Sequence, residues 1–184
     1  MQAASGQVTA PRLQALLRDG ALAGEWALDP RKSSIALKSR SMWGLAPVNG
    51  VFREISGNGT VSPDGEVSGT ITVASASIDT RNTRRDTHLR SADFFDTANH
   101  PDITFTADVI RPSGQGVAVT GVLIVRDRTR PLSFDASASI RGAGEIWLDA
   151  EVRIHRADFG LTWNLLGLVS MDNTLTIHAV FTRR

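Results

Sequence analysis

Ile146-Trp147-Leu148-Asp149-Ala150-Glu151-Val152-Arg153-Ile154-His155 alternates without a break. Ile146, Leu148, Ala150, Val152 and Ile154 fall on one parity; Trp147, Asp149, Glu151, Arg153 and His155 fall on the other. Period two marks a strand with one buried and one wet face. The same period recurs along the chain. It appears in Ile35, Leu37 and Ser39, in Val67, Gly69, Ile71 and Val73, and in Ile103, Phe105, Ala107 and Val109. Downstream it runs through Val117, Val119, Gly121, Leu123 and Val125, then Leu132, Phe134, Ala136, Ala138 and Ile140, and finally Leu175, Ile177, Ala179 and Phe181.

Short turns separate these runs: Pro63-Asp64-Gly65, Pro112-Ser113-Gly114 and Arg141-Gly142-Ala143-Gly144. Strands joined by such turns are antiparallel neighbours. About eight strands with one apolar face each bury it by forming a sandwich or by closing into a barrel. Two segments depart from period two. Pro11 to Leu22 places Leu13, Leu16 and Leu17 on one helical face, with Gly24 as the stop, and its narrow stripe suits a helix on the outside of a larger body. Thr80 to Ser91 lacks alternation and predicts a helical crossover near residues 83–91, N-capped by Asp79 or Thr80. Residues 1–10 read as disordered. The division is a tail and helix over 1–24 and one β domain over 25–184.

Composition narrows the function. The net charge is +1 over 184 residues, which gives no field to attract nucleic acid or an anionic membrane. The absence of cysteine removes disulfides, thiolate metal sites and cysteine nucleophiles. No run reaches the roughly 18 apolar residues of a membrane span, and charges interrupt residues 11–19 where a signal peptide would need an apolar stretch. The expected location is cytoplasmic.

Chemical motifs are sparse. Gly57-Asn58-Gly59 lacks the third glycine of a dinucleotide site and reads as a turn. His155 and His178 fall on outward parities and would meet only if the last two strands pair around Leu165-Leu166-Gly167; two imidazoles fall short of a metal site. Asp86 and His88 suggest an acid–base pair, set against a salt-bridged helix in which Arg85 or Arg90 faces a carboxylate. No catalytic residue and no metal ligand is assigned. The inward parities include Gly69, Ala107, Gly121, Ala136, Ala138, Ala150 and Ala179, and this many small residues favours a cavity over a core filled by side chains.

Three longer motifs carry a family resemblance. They are Ala76-Ser77-Ile78-Asp79-Thr80, the run Arg85-Asp86-Thr87-His88-Leu89-Arg90-Ser91-Ala92-Asp93-Phe94-Phe95-Asp96, and Pro101-Asp102-Ile103-Thr104-Phe105. Leu28-Asp29-Pro30 with Ser33, Val48, Gly50, Phe52 and Gly57, Gly121-Val122-Leu123 followed by Thr129-Arg130-Pro131, and Arg156-Ala157-Asp158-Phe159-Gly160 follow in order. Together, over about residues 25–183, they resemble the YceI-like family of polyisoprenoid-binding, lipocalin-like proteins. Lys32 and Ser41 stand where that family often has histidine, and Asp127 stands where it has a hairpin glycine. Residues 42–47 differ from its usual charged linker and are expected to form an apolar flap at the barrel mouth.

The resemblance implies an all-β, lipocalin-like, eight-stranded antiparallel barrel around an apolar tunnel for a polyisoprenoid or isoprenoid quinone, with no other cofactor. Strand phase then nominates ligand-binding residues: Ile35, Leu37, Phe52, Ile71, Val73, Ile103, Phe105, Leu123, Val125, Phe134, Leu148, Ile154, Leu175 and Ile177. Phe94, Phe95, Phe159, Trp163 and Leu168 are expected to close the ends. Gly121→Leu or Ala138→Phe is expected to fill the tunnel without unfolding the barrel. Arg85, Asp86, Arg156 and Asp158 are expected to tie the 80s helix to the turn after Ile154 by ion pairs. A lipid-modifying isomerase or cyclase, a filled partner-binding barrel and a homodimer remain open.

Overall fold

The computed structural model describes residues 6–41, 46–142, 144–163 and 170–184. Strands β1 (Gly24–Leu28), β2 (Ser34–Ser41), β3 (Ala46–Phe52), β4 (Ile55–Val61), β5 (Val67–Ala74) and β6 (Ile78–Asp79) precede a helix. Strands β7 (Asp102–Ser113), β8 (Gly116–Val125), β9 (Arg128–Arg141), β10 (Glu145–His155) and β11 (Asp172–Arg183) follow it. All pairings are antiparallel, and β1 closes the sheet by pairing with both β4 and β11.

The eight-stranded barrel emerges once the first six strands are taken as halves. β1 pairs with β4 while β2 pairs with β3, and β4 pairs with β5 while β3 pairs with β6. These are three long staves, each broken once, beside five unbroken ones. The breaks are bridged by hydrogen bonds. Between β1 and β2, the Asp29 N–H donates to the Val180 carbonyl at 2.8 Å, and the Val180 N–H donates to the Ser33 hydroxyl at 2.9 Å. Ser33 thus satisfies β11 where that strand changes partner from β2 to β1. The other two breaks lie side by side: the Arg53 N–H donates to Ser77 O and the Ala74 N–H to Glu54 O.

The N-terminal helix α1 is shorter than the sequence suggests, Ala10–Arg18, and Gly20 at φ 67° follows its end. It lies on the outside of the barrel as its narrow stripe suggests, but over one end of it rather than along the wall. Leu13 and Leu17 are buried and pack with Leu22, Trp26 and Val61 at one end of the barrel. Residues 6–10 are not disordered, contrary to the sequence reading: Gln7 bridges Ser139, and the Val8 N–H donates to Ala138 O. The crossover helix α2 spans Thr83–Arg90, and its N-cap is Asn82, whose side chain accepts from the Arg85 N–H. Asp79 and Thr80 cannot cap it because both are engaged elsewhere, Asp79 by Arg53 and Arg81, Thr80 by Asp86.

Two apolar clusters divide the interior. One gathers Val8, Leu13, Leu17, Trp26, Val117 and Val119 at the α1 end. The other gathers Phe52, Ile78, Phe94, Phe95, Leu123, Val125 and Phe159 at the α2 end. Phe105, Leu148 and Phe181 border both. No described helix is long and apolar enough to cross a membrane.

Candidate functional site: a cavity joining the two halves of the barrel

A cavity of about 270 Å³ touches residues of both clusters. That is about twenty times the roughly 10–15 Å³ that one water needs. Its wall follows directly from strand parity: Ile35, Leu37, Phe52, Ile71, Val73, Ile103, Phe105, Leu123, Val125, Phe134, Leu148, Ile154, Leu175 and Ile177 all line it. Phe94, Phe95 and Phe159 also line it, with Phe94 and Phe95 in edge contact at 4.9 Å. Trp163 does not line it. It is 38% exposed and packs against the His88 ring, tilted by 57° with centroids 4.2 Å apart. Leu168 lies outside the described residues, as do residues 42–45 of the expected flap; Ala46 and Pro47 instead open β3.

The sequence reading missed the floor at the α1 end, where Leu13, Leu17, Leu22 and Trp26 line the cavity. The spacing of Leu13 and Leu17 was the available signal; nothing in it says that the stripe faces a barrel opening. The Trp26 indole is fixed by donating to Leu22 O at 3.0 Å. Also missed were Asn173 and Arg156 at the other end. Both are buried, and Arg156 is the one charged side chain in the described lining.

Among the described residues, Arg156 is held by carbonyls alone. Its Nε donates to Ser170 O at 3.0 Å, and its Nη1 donates to Leu161 O at 2.6 Å and Trp163 O at 2.9 Å. Its Nη2 has no partner among the described residues. Burial pushes the guanidinium below its ordinary range, though it remains a cation. The expected ion pairs among Arg85, Asp86, Arg156 and Asp158 are therefore absent. Asp86 accepts from the Thr80 N–H and hydroxyl, at 3.0 and 2.5 Å, while Arg85 donates to the Thr80 hydroxyl and carbonyl. Arg90 donates to the carbonyls of Ala76 and Ile78. Backbone carbonyls at the broken end of the third stave outcompete carboxylates for these arginines because they lie at the helix's foot. His88 makes no hydrogen bond to Asp86, whose carboxylate is taken by Thr80, so the two form no acid–base pair.

The outer histidines are also apart. The β10–β11 register sets His155 opposite Asp172 and His178 opposite Asp149. Each imidazole Nδ1 pairs with that carboxylate, at 2.8 and 2.5 Å. No group of three potential metal ligands occurs among the described residues.

Gly121 has a different meaning from the expected one. A Cβ there would stand 2.0 Å from Thr106 O, beside the β7 bulge between Ala107 and Val109. The glycine admits a neighbouring backbone rather than a ligand, so Gly121→Leu would break the wall. At Gly69 a Cβ would likewise crowd Asn58 O, at 2.9 Å. The alanines 107, 136, 138, 150 and 179 do face the cavity. The left-handed position of the β8–β9 turn is held by Arg126, at φ 58°, not by Asp127.

Comparison with known proteins agrees with this architecture. Residues 26–181 match the YceI-like domain family. The chain is 31% identical over 142 residues to protein YceI of Escherichia coli O6:H1, covering 73% of each chain. BcnA of Burkholderia cenocepacia has a similar structure, with a TM-score of 0.76 at 23% identity, over 83% of this chain and 98% of BcnA. A polyisoprenoid binding domain from Saccharophagus degradans gives 0.69 at 17% identity, over 86% of this chain and 98% of that domain. Both are likenesses of fold. On the extent of these matches, the chain belongs to the YceI-like domain family.

Proposed function

We propose that the barrel carries or stores one long apolar lipid, a polyisoprenoid or isoprenoid quinone, and performs no chemistry on it. The observation that carries this reading is the cavity itself, lined by aliphatic and aromatic side chains from every stave. Core voids cost about 24 cal/mol per Å³. A dry void of about 270 Å³ would thus remove about 6 kcal/mol, much of the roughly 5–15 kcal/mol that holds a domain together. An apolar occupant recovers that loss. Each methylene it buries contributes about 0.8 kcal/mol, against an association cost of several kcal/mol. A chain of several isoprene units therefore binds by solvent exclusion alone. The Saccharophagus domain of the same fold, described as polyisoprenoid binding, supports the choice of lipid.

The enzyme alternative needs a group that gives or takes a proton beside the ligand. The described lining holds no Asp, Glu, His or Lys, and an arginine does not exchange protons near neutral pH. The filled, partner-binding barrel is disfavoured by the void. Uptake of a fluorescent isoprenoid tests the proposal. Wild type is expected to bind it, and Ala138→Phe, which projects a ring from β9 into the cavity, to weaken binding at least tenfold while the far-UV circular dichroism is kept. Full binding by a folded Ala138→Phe protein would place the lipid outside the barrel.

A further inference from the structure

Solvent exclusion gives no role to Arg156. A buried cation carries a large penalty unless an anion or a full set of acceptors meets it. Three carbonyl dipoles occupy Nε and Nη1; Nη2 has none among the described residues, and no described ion pair includes Arg156. The residue is 3% exposed, sits with its guanidinium carbon 5.6 Å from the Phe94 ring centre, and lines the cavity. Asn173, buried on the rung opposite Ile154, lines the same end. The far end is lined by Leu13, Leu17, Leu22, Trp26 and Val61, with Asn58 and Thr60 beside them, and carries no charge. The cavity therefore has one charged pole and one uncharged, largely apolar pole.

We propose that Arg156 receives the acidic head group, the oxygens of a carboxylate or a phosphate, of a single-chain amphiphile whose tail runs toward α1. This rests on the lipid-carrier reading and adds the head-group class and the ligand's orientation. A guanidinium presents a planar fork of donors that matches either kind of oxygen pair. The competing role for Arg156 is to pin the chain around Leu161, Trp163 and Ser170 through their carbonyls, with no part in recognition.

Displacement of a fluorescent apolar probe from the full chain separates the two. Hexadecanoate is compared with hexadecanol, and geranylgeranyl phosphate with geranylgeraniol. Wild type is expected to bind at least one acid ten times or more tightly than its alcohol, and the pair with the wider gap identifies the head. In Arg156→Gln that ratio is expected to fall toward one, with Arg156→Lys between the two. Equal binding of acids and alcohols by wild type, within twofold, overturns the head-group assignment and leaves the carrier reading standing. A ratio unchanged in Arg156→Gln overturns it as well. If none of the four ligands displaces the probe, the carrier reading itself fails. Should Arg156→Gln not fold, the wild-type ratio alone decides.

Discussion

At one end of the barrel the hairpin turns use Gly65, Gly114 and Gly142 at positive φ, and α1 lays Leu13 and Leu17 across the opening. At the other end Gly160 is left-handed too, but so are three residues with side chains, Arg81, Asp96 and Arg126, and the lining contains a buried arginine. Glycine takes a left-handed φ at no steric cost, whereas a side chain there costs about 1–3 kcal/mol. The α1 end is thus a relaxed apolar seal, while the α2 end holds strain and unmatched charge together. Proteins concentrate such costs at functional sites, in keeping with the proposal that the α2 end receives the head group and the α1 end stops the tail.

The largest expected effect comes from breaking the seal. Leu13→Ala with Leu17→Ala should lower stability by about 4 kcal/mol, at about 2 kcal/mol for each buried leucine truncated. Thermal unfolding reads the loss. The same variant should shift the preferred lipid toward longer chains, and unchanged length preference would mean that α1 does not bound the tail. At the opposite end, Arg156→Met deprives the carbonyls of Leu161, Trp163 and Ser170 of their donor. At about 1 kcal/mol or more per stranded acceptor, denaturant unfolding should show a loss of about 3 kcal/mol.

Smaller changes sharpen the contrast in strain. Arg81→Gly should raise stability by up to about 1 kcal/mol, since it removes the left-handed cost at φ 60°, whereas substituting Ala for Gly114 should lower it. The smallest effect is electrostatic. The Arg81 N–H, then the Arg53 side chain, hold the Asp79 carboxyl below its ordinary value of 3.8. A depressed folded-state pKa contributes stability above the unfolded value and loses it as pH falls through the folded one. Wild type should therefore lose slightly more stability than Asp79→Asn between pH 5 and about pH 2. Parallel curves would show the exposed contact to be energetically silent.

Strand identity and the cavity-facing side were legible because burial against one interior imposes period two at every position. The three broken staves were not, because a break that Ser33 or Ser77 bridges leaves alternation intact on both sides. The placement of α1 was hidden for a similar reason: a leucine stripe at helical spacing looks the same on an outer wall and over an opening. Gly121 misled because a small residue answers equally to a ligand and to a neighbouring strand, and only the β7 bulge tells them apart. Arg156 gave no sign of burial in a motif that also contains Asp158, where pairing looked cheaper than three carbonyls.

The central claim is that the cavity holds an apolar chain, and native mass spectrometry of the full-length protein purified without detergent tests it most directly. The account predicts a mass above that of the polypeptide by one lipid molecule, released on mild activation, or the appearance of that mass when geranylgeraniol is added to an empty protein. A protein that stays at its polypeptide mass in both conditions, while folded and with its barrel intact, would contradict it.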